Sequence, residues 1–122
     1  MVQSNTMWHL PESLQDLAEG GENGIVWELL DSFQNDTASR LERLHDGVAR
    51  LAAATVKAEA HSIRGSARQM GAGELADLCQ VIESCPPEMD WPEQENRVCQ
   101  AELRFAEVCS AMTAYASAKR AG

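Results

Sequence analysis

The sequence predicts an all-α protein: an antiparallel up-and-down four-helix bundle with a short extra N-terminal helix. Three observations lead there. Apolar residues recur at threes and fours over long stretches, the period of helices that bury one face. Aromatic residues are only 5% of the 122, while alanine, leucine and glutamate abound, which suits helix packed on helix. Glycine and proline clusters leave only short links between the periodic stretches, so successive helices must run antiparallel.

Residues 1–11 read as a flexible lead-in ending at Pro11. A short helix follows with Leu14 and Leu17 inward, stopped by Gly20-Gly21 and placed to cap one end of the bundle. A long helix then runs from about Asn23 to about Leu51. Its inward face is Val26, Leu30, Phe33, Thr37, Leu41, Leu44, Val48 and Leu51, and its outer face is a mix of acids and arginines. No turn residue marks its end. Thr55 is the one obvious capping side chain, so the bend is placed between Arg50 and Thr55.

The third helix reaches Met70 on a core stripe of Val56, Ala60, Ile63, Ala67 and Met70. Gly71-Ala72-Gly73 turns the chain into a fourth helix, from Glu74 to about Ser84, with Leu75, Leu78, Cys79 and Ile82 inward. Pro86-Pro87 ends it. Asp90 as N-cap, Pro92 in the first turn and Glu93 three residues after the cap start the last helix. That helix buries Val98, Ala101, Phe105, Val108, Met112 and Tyr115. The bundle domain is therefore 12–118, with 119–122 as a frayed tail.

Bulk properties exclude several function classes. A net charge of -9 argues against nucleic acid, whose phosphates call for clustered lysine and arginine, and favours protein partners. No apolar run is long enough to span a membrane, and the first ten residues lack the pattern of a secretory signal, so a cytoplasmic protein is expected. Cys79, Cys85, Cys99 and Cys109 form no C-x-x-C pair, so zinc is not expected; they read as reduced cysteines filling helix faces. No metal site or cofactor is expected on this chain.

One pattern stands out against the acidic background. Lys57, His61, Arg64 and Arg68 each follow a core-stripe residue by one position, which places them in a file about 100° round the third helix. A lone histidine at a helix rim is most often an ordinary surface residue, and a basic file is usually a solvated face. The combination nevertheless suits a phosphoryl acceptor. Imidazole attacks only when neutral, and nearby cations disfavour imidazolium. Once phosphorylated, the ring carries acceptor oxygens that the same cations can pair. Gly65, one turn on, leaves the approach to the ring free of a side chain. His9 and His45 have no comparable company, and Ser66 lacks a triad-like base.

The string His61-Ser62-Ile63-Arg64-Gly65-Ser66-Ala67, followed by Met70-Gly71-Ala72, Leu75, Cys79 and Glu83, closely resembles the histidine-containing phosphotransfer (HPt) domain. Leu29-Leu30, Phe33, Asp36-Thr37, Leu41 and Leu44 look like that family's preceding helix, so the resemblance covers roughly residues 12–117. It implies the same helical bundle and a phosphorelay role. His61 would take a phosphoryl group from the aspartyl phosphate of a receiver domain and pass it to another receiver's aspartate. Arg64 would steady the phosphate, Gly65 would give access, and Lys57 and Arg68 would be secondary.

Two departures from the family are visible. The link before the third helix lacks the Gly-Asp turn of many members. Glu83 stands where several members have glutamine, and an ionised glutamate facing His61 would partly oppose the cationic file. The implied partners are response regulator receiver domains or a hybrid histidine kinase, with Mg²⁺ held in the receiver, and the protein itself is expected to be a monomer. Histidine kinases usually place an acid directly after their histidine and a proline soon after. Here Ser62 follows and the next proline is Pro86, so autokinase activity is not expected. The competing hypothesis is a phosphorylation-independent adaptor of the same fold that regulates a partner by docking.

Overall fold

A computed structural model describes residues 8–86 and 88–121. Five helices follow in order: α1 (Glu12–Glu19), α2 (Asn23–Ala49), α3 (Ala53–Gln69), α4 (Gly73–Glu83) and α5 (Trp91–Ala121). Helix α2 packs on α3 and α5, and α4 packs on the same two, so α2 to α5 close into a four-membered ring around one core. Helix α1 lies against α2. This is the up-and-down bundle expected, with the short extra helix preceding it.

The inward stripes hold almost throughout. Val26, Leu44, Val56, Ala60, Ile63, Leu75, Ile82, Ala101 and Met112 are fully buried. Phe105, Tyr115, Met70 and Leu78 are only partly buried and pack on the outside of that core. Fixing an apolar set of this size inside stabilises the fold by roughly 1.5–3 kcal/mol per fully buried large side chain, before chain entropy is charged against it.

One turn design recurs three times. At each of the first three links, the last helical carbonyls are met by the two residues beyond the cap, as in the Schellman motif. The pairs are Glu22 N–H to Leu17 O and Gly21 N–H to Ala18 O, Ala52 N–H to Gly47 O and Leu51 N–H to Val48 O, and Ala72 N–H to Ala67 O and Gly71 N–H to Arg68 O. Each motif needs one residue in the left-handed region. Gly21 (φ 90°) and Gly71 (φ 78°) supply it at two links, but Leu51 (φ 58°) supplies it at the third.

That corrects two expectations. Leu51 is not a core residue; it is 60% exposed, because the turn swings it off the inward face of α2. Thr55 is not a cap either. Ala52 takes the N-cap position of α3 without any side-chain cap bond, leaving Thr55 inside the first turn. Gly47, buried near the end of α2, suits this close approach: an added Cβ would sit 3.2 Å from side-chain methyls of Thr55 and Val56, tighter than an ordinary contact.

The remaining link behaves as its sequence suggests. Asp90 caps α5 by accepting from Glu93 N–H at 3.1 Å. Of the lead-in, residues 8–11 are described: Leu10 is buried, and Trp8 Nε1 donates to Met70 O at 2.7 Å. Residues 1–7, Pro87 and Gly122 lie outside the described residues, and α5 extends through Ala121, past the boundary expected at 118. The cysteines are all free, but they do not all fill helix faces: Cys79 is buried, Cys99 is exposed, and Cys85 lies in the link after α4. Burial and the nearby Glu83 push the Cys79 thiol up to about 12, so it stays protonated.

Candidate functional site

The site lies where the middle of α3 meets the C-terminal end of α4. Ala60 and Ile63 anchor α3 in the core with no exposure, which turns His61 outwards; its side chain is 62% exposed. Across the groove, Cys79 and Ile82 are buried in the same way and aim Glu83 at α3. The result is a contact between His61 Nδ1 and Glu83 Oε2 at 2.7 Å.

The chemistry of the two groups assigns the proton. An ionised carboxylate can only accept, so in the neutral ring Nδ1 carries the hydrogen and donates it to Glu83. Nε2 is then the nitrogen with the free lone pair, and it has no hydrogen-bond partner among the described residues.

Arg64 completes the cluster from one turn further along α3. Its Nε lies 3.4 Å from Glu83 Oε1 and its Nη2 lies 3.2 Å from His61 Nδ1. The second contact is not a hydrogen bond when Nδ1 is protonated, because both atoms would be donors. Glu83 Oε1 is buried and receives no hydrogen bond in spite of the guanidinium beside it. Arg64 is therefore held by charge on the Nδ1 side of the ring, without a directional bond to Glu83 that would tie it there.

The other members of the basic file have separate partners. Lys57 Nζ donates to the backbone carbonyls of Glu83 and Cys85, so it closes the C-terminal end of α4, where a cation is favoured by the helix dipole. Arg68 donates to Gln80 Oε1 at 2.6 Å and lies 3.8 Å from Asp77. Thus His61, Arg64 and Glu83 are brought together; Lys57 joins them through the α4 backbone, and Arg68 pairs a turn or more away. At Gly65 an added Cβ would meet nothing within 4 Å. Packing within the chain does not require that glycine.

Two residues the sequence did not single out complete the support. Gln94 is fully buried; its Nε2 donates to Ile82 O at 3.2 Å, and its Oε1 accepts from Arg97 Nη1 at 2.9 Å. Arg97 Nη1 also reaches Cys85 Sγ at 3.2 Å. The end of α4 is therefore gripped from α3 by Lys57 and from α5 by Gln94. The signal was present: Gln94 continues the inward stripe of α5 four residues before Val98, and a polar side chain at an inward position needs partners. His45 sits on α2 with Nδ1 3.1 Å from Glu102 Oε2, so a histidine–glutamate pair alone does not mark a site. His9 is exposed.

Among the described residues, no group of three or more histidine, cysteine or acidic side chains is placed to hold a metal ion, and no helix is long and apolar enough to cross a membrane.

The family model described as the Hpt domain matches residues 28–118. Among solved structures, the crystal structure of histidine-containing phosphotransfer protein B from Pseudomonas aeruginosa PAO1 is similar, with a TM-score of 0.68 at 28% sequence identity. That likeness covers 88% of this chain and 93% of the other. Among curated proteins none matches. The matched residues run through four of the five helices and include His61, Arg64, Gly65 and Glu83, and the chain belongs to the Hpt domain family.

Proposed function

We propose that this protein is a phosphorelay intermediate, with His61 accepting a phosphoryl group from a receiver-domain aspartyl phosphate and passing it to the aspartate of another receiver. The observation that carries this reading is the state of His61: an exposed side chain with Nδ1 engaged by Glu83 and Nε2 without a hydrogen-bond partner among the described residues. Nε2 attacks phosphorus as the bond to the aspartyl oxygen breaks, and the electron pair leaves with the carboxylate. Transfer onwards is the same step reversed on a second receiver. Mg²⁺ and the acidic pocket around it belong to the receiver, so this chain acts as a carrier in the cytoplasm without autokinase activity.

Arg64 would turn from Glu83 towards the phosphoryl oxygens once they arrive, since it exchanges one anionic partner for another of higher charge. Gly65 leaves the partner's active site a path to the ring. The decisive experiment charges purified receiver domains with a small phosphodonor and mixes them with this protein. Label should reach the wild type and not His61→Gln; labelling of that variant would contradict the assignment. Regulation of a partner that survives His61→Ala would favour the adaptor hypothesis instead.

A further inference from the structure

We infer that the groove between the C-terminal end of α2 and the N-terminal end of α5 is a second docking surface, shaped for a basic amphipathic helix of a partner protein. It lies on the α2–α5 side of the bundle, whereas His61 and Glu83 stand where α3 meets α4. The inference therefore does not depend on the phosphocarrier reading.

The turn after α2 gives the first observation. Leu51 holds the left-handed position (φ 58°) that Gly21 and Gly71 fill at the other two reversals, and it is 60% exposed. Left-handed backbone crowds a Cβ against the neighbouring carbonyl, and a side chain this exposed recovers little by burial. Local folding therefore favours glycine here. What leucine adds is an apolar side chain held out beside the groove.

The groove itself has a volume of about 260 Å³. Its walls are Val48, Ala49 and Leu51 from α2 and the half-buried Trp91, Pro92 and Val98 from α5. That is less than the roughly 300–1,000 Å³ of sites for drug-sized ligands, and it suits one or two large apolar side chains. Apolar anchors on one face of a docked helix have that size and spacing.

Charge identifies the occupant. Glu95 lines the same groove, is exposed, and has no ion pair among the described residues. The cations nearby in sequence are already engaged: Arg50 lies 3.0 Å from Asp46, and Arg97 turns to Gln94, Cys85 and Glu93. Further along the same side of α5, Glu102 adds a second acid, beside His45. An apolar groove edged by an unanswered carboxylate selects lysine or arginine next to the apolar anchors. A second copy of this chain would bring a net charge of -9 against the same acidic edge, so it is the poorer fit.

The test titrates a helical peptide of leucine and lysine, with leucines at i, i+3, i+4 and i+7, into the intact ¹⁵N-labelled protein. Amide shifts should centre on Ala49, Leu51, Glu95 and the Trp91 indole. Leu51→Gly should weaken binding about tenfold, as loss of an anchor contact does, while its thermal midpoint stays at or above that of wild type. Glu95→Gln should weaken it about threefold at low salt and leave it unchanged at high salt. A leucine–glutamate peptide of the same pattern should not bind. Shifts spread over the outer acids of α2, with equal affinity in Leu51→Gly, would overturn the inference, as would equal binding of the acidic peptide. Sedimentation should show the protein alone as a monomer; a dimer that Leu51→Gly abolishes would assign the groove to a second copy and also overturn it.

Discussion

Val56, Ala60, Ile63 and Ala67 have no exposed surface, whereas Lys57, His61, Arg64 and Arg68, each one residue further along the same helix, keep contact with solvent. The first set is ordered by packing against the core, and any well-shaped apolar side chain can serve in it. The second set is ordered by polar groups on α4, and there the identity of each atom matters: a carboxylate on Nδ1, backbone carbonyls on Lys57, an amide oxygen on Arg68. On the proposed phosphocarrier reading, two adjacent stripes of one helix separate the fold from its chemistry. Substitutions in the first set should move stability and leave the chemistry, and substitutions of His61 or Arg64 should do the opposite.

Ile63→Ala gives the largest effect on the buried side. It removes a fully buried side chain and should destabilise the bundle by about 2–5 kcal/mol in denaturant unfolding. Any variant population still folded should transfer phosphoryl at the normal rate, and a specific loss of transfer would break the separation. Arg64→Ala is its counterpart on the wet side. It should slow transfer about tenfold, roughly 1.4 kcal/mol of barrier, while the unfolding midpoint stays within about 0.5 kcal/mol of wild type. An unchanged rate would remove Arg64 from the phosphate-binding set.

The two glycines sharpen the same contrast with opposite signs. At Gly47 an added Cβ would lie 3.2 Å from Thr55 Cγ2 and Val56 Cγ2, and Val56 is fully buried and cannot give way freely. Overpacking should outweigh the gain in helix propensity, so Gly47→Ala should destabilise by about 1 kcal/mol. At Gly65 the added methyl meets open space, so Gly65→Ala should stabilise by about 0.8 kcal/mol and yet slow transfer from a receiver. Faster unfolding of Gly65→Ala would show that this glycine serves the fold, and a transfer rate equal to wild type would remove it from the access role.

Most of the fold could be read from apolar spacing because each helix buries one continuous face. The α2–α3 reversal could not. The position that Gly71 fills at the next turn is filled there by Leu51, and a leucine at φ 58° gives no local signal of a turn. It continued the period of α2 and so passed for a core residue. On the site, the file of His61, Arg64 and Gly65 was legible as a spacing, and Glu83 was legible as a residue type out of keeping with the family. What Lys57 and Arg68 do was not, because a basic file on one helix says nothing of the acceptors that α4 brings to it. The role of Gln94 was hidden for the same reason: its partners are carbonyls of a different helix.

The central claim is that one nitrogen of one histidine carries the phosphoryl group. It is tested most directly by mapping acid-labile phosphate by mass spectrometry after incubation with charged receiver domains. The account predicts a single modified site at His61, with the phosphorus on Nε2 by ³¹P and ¹⁵N spectra, and no modification in His61→Gln. Phosphate on His9 or His45, phosphate on Nδ1 of His61, or no transfer from any receiver of the source organism would contradict it.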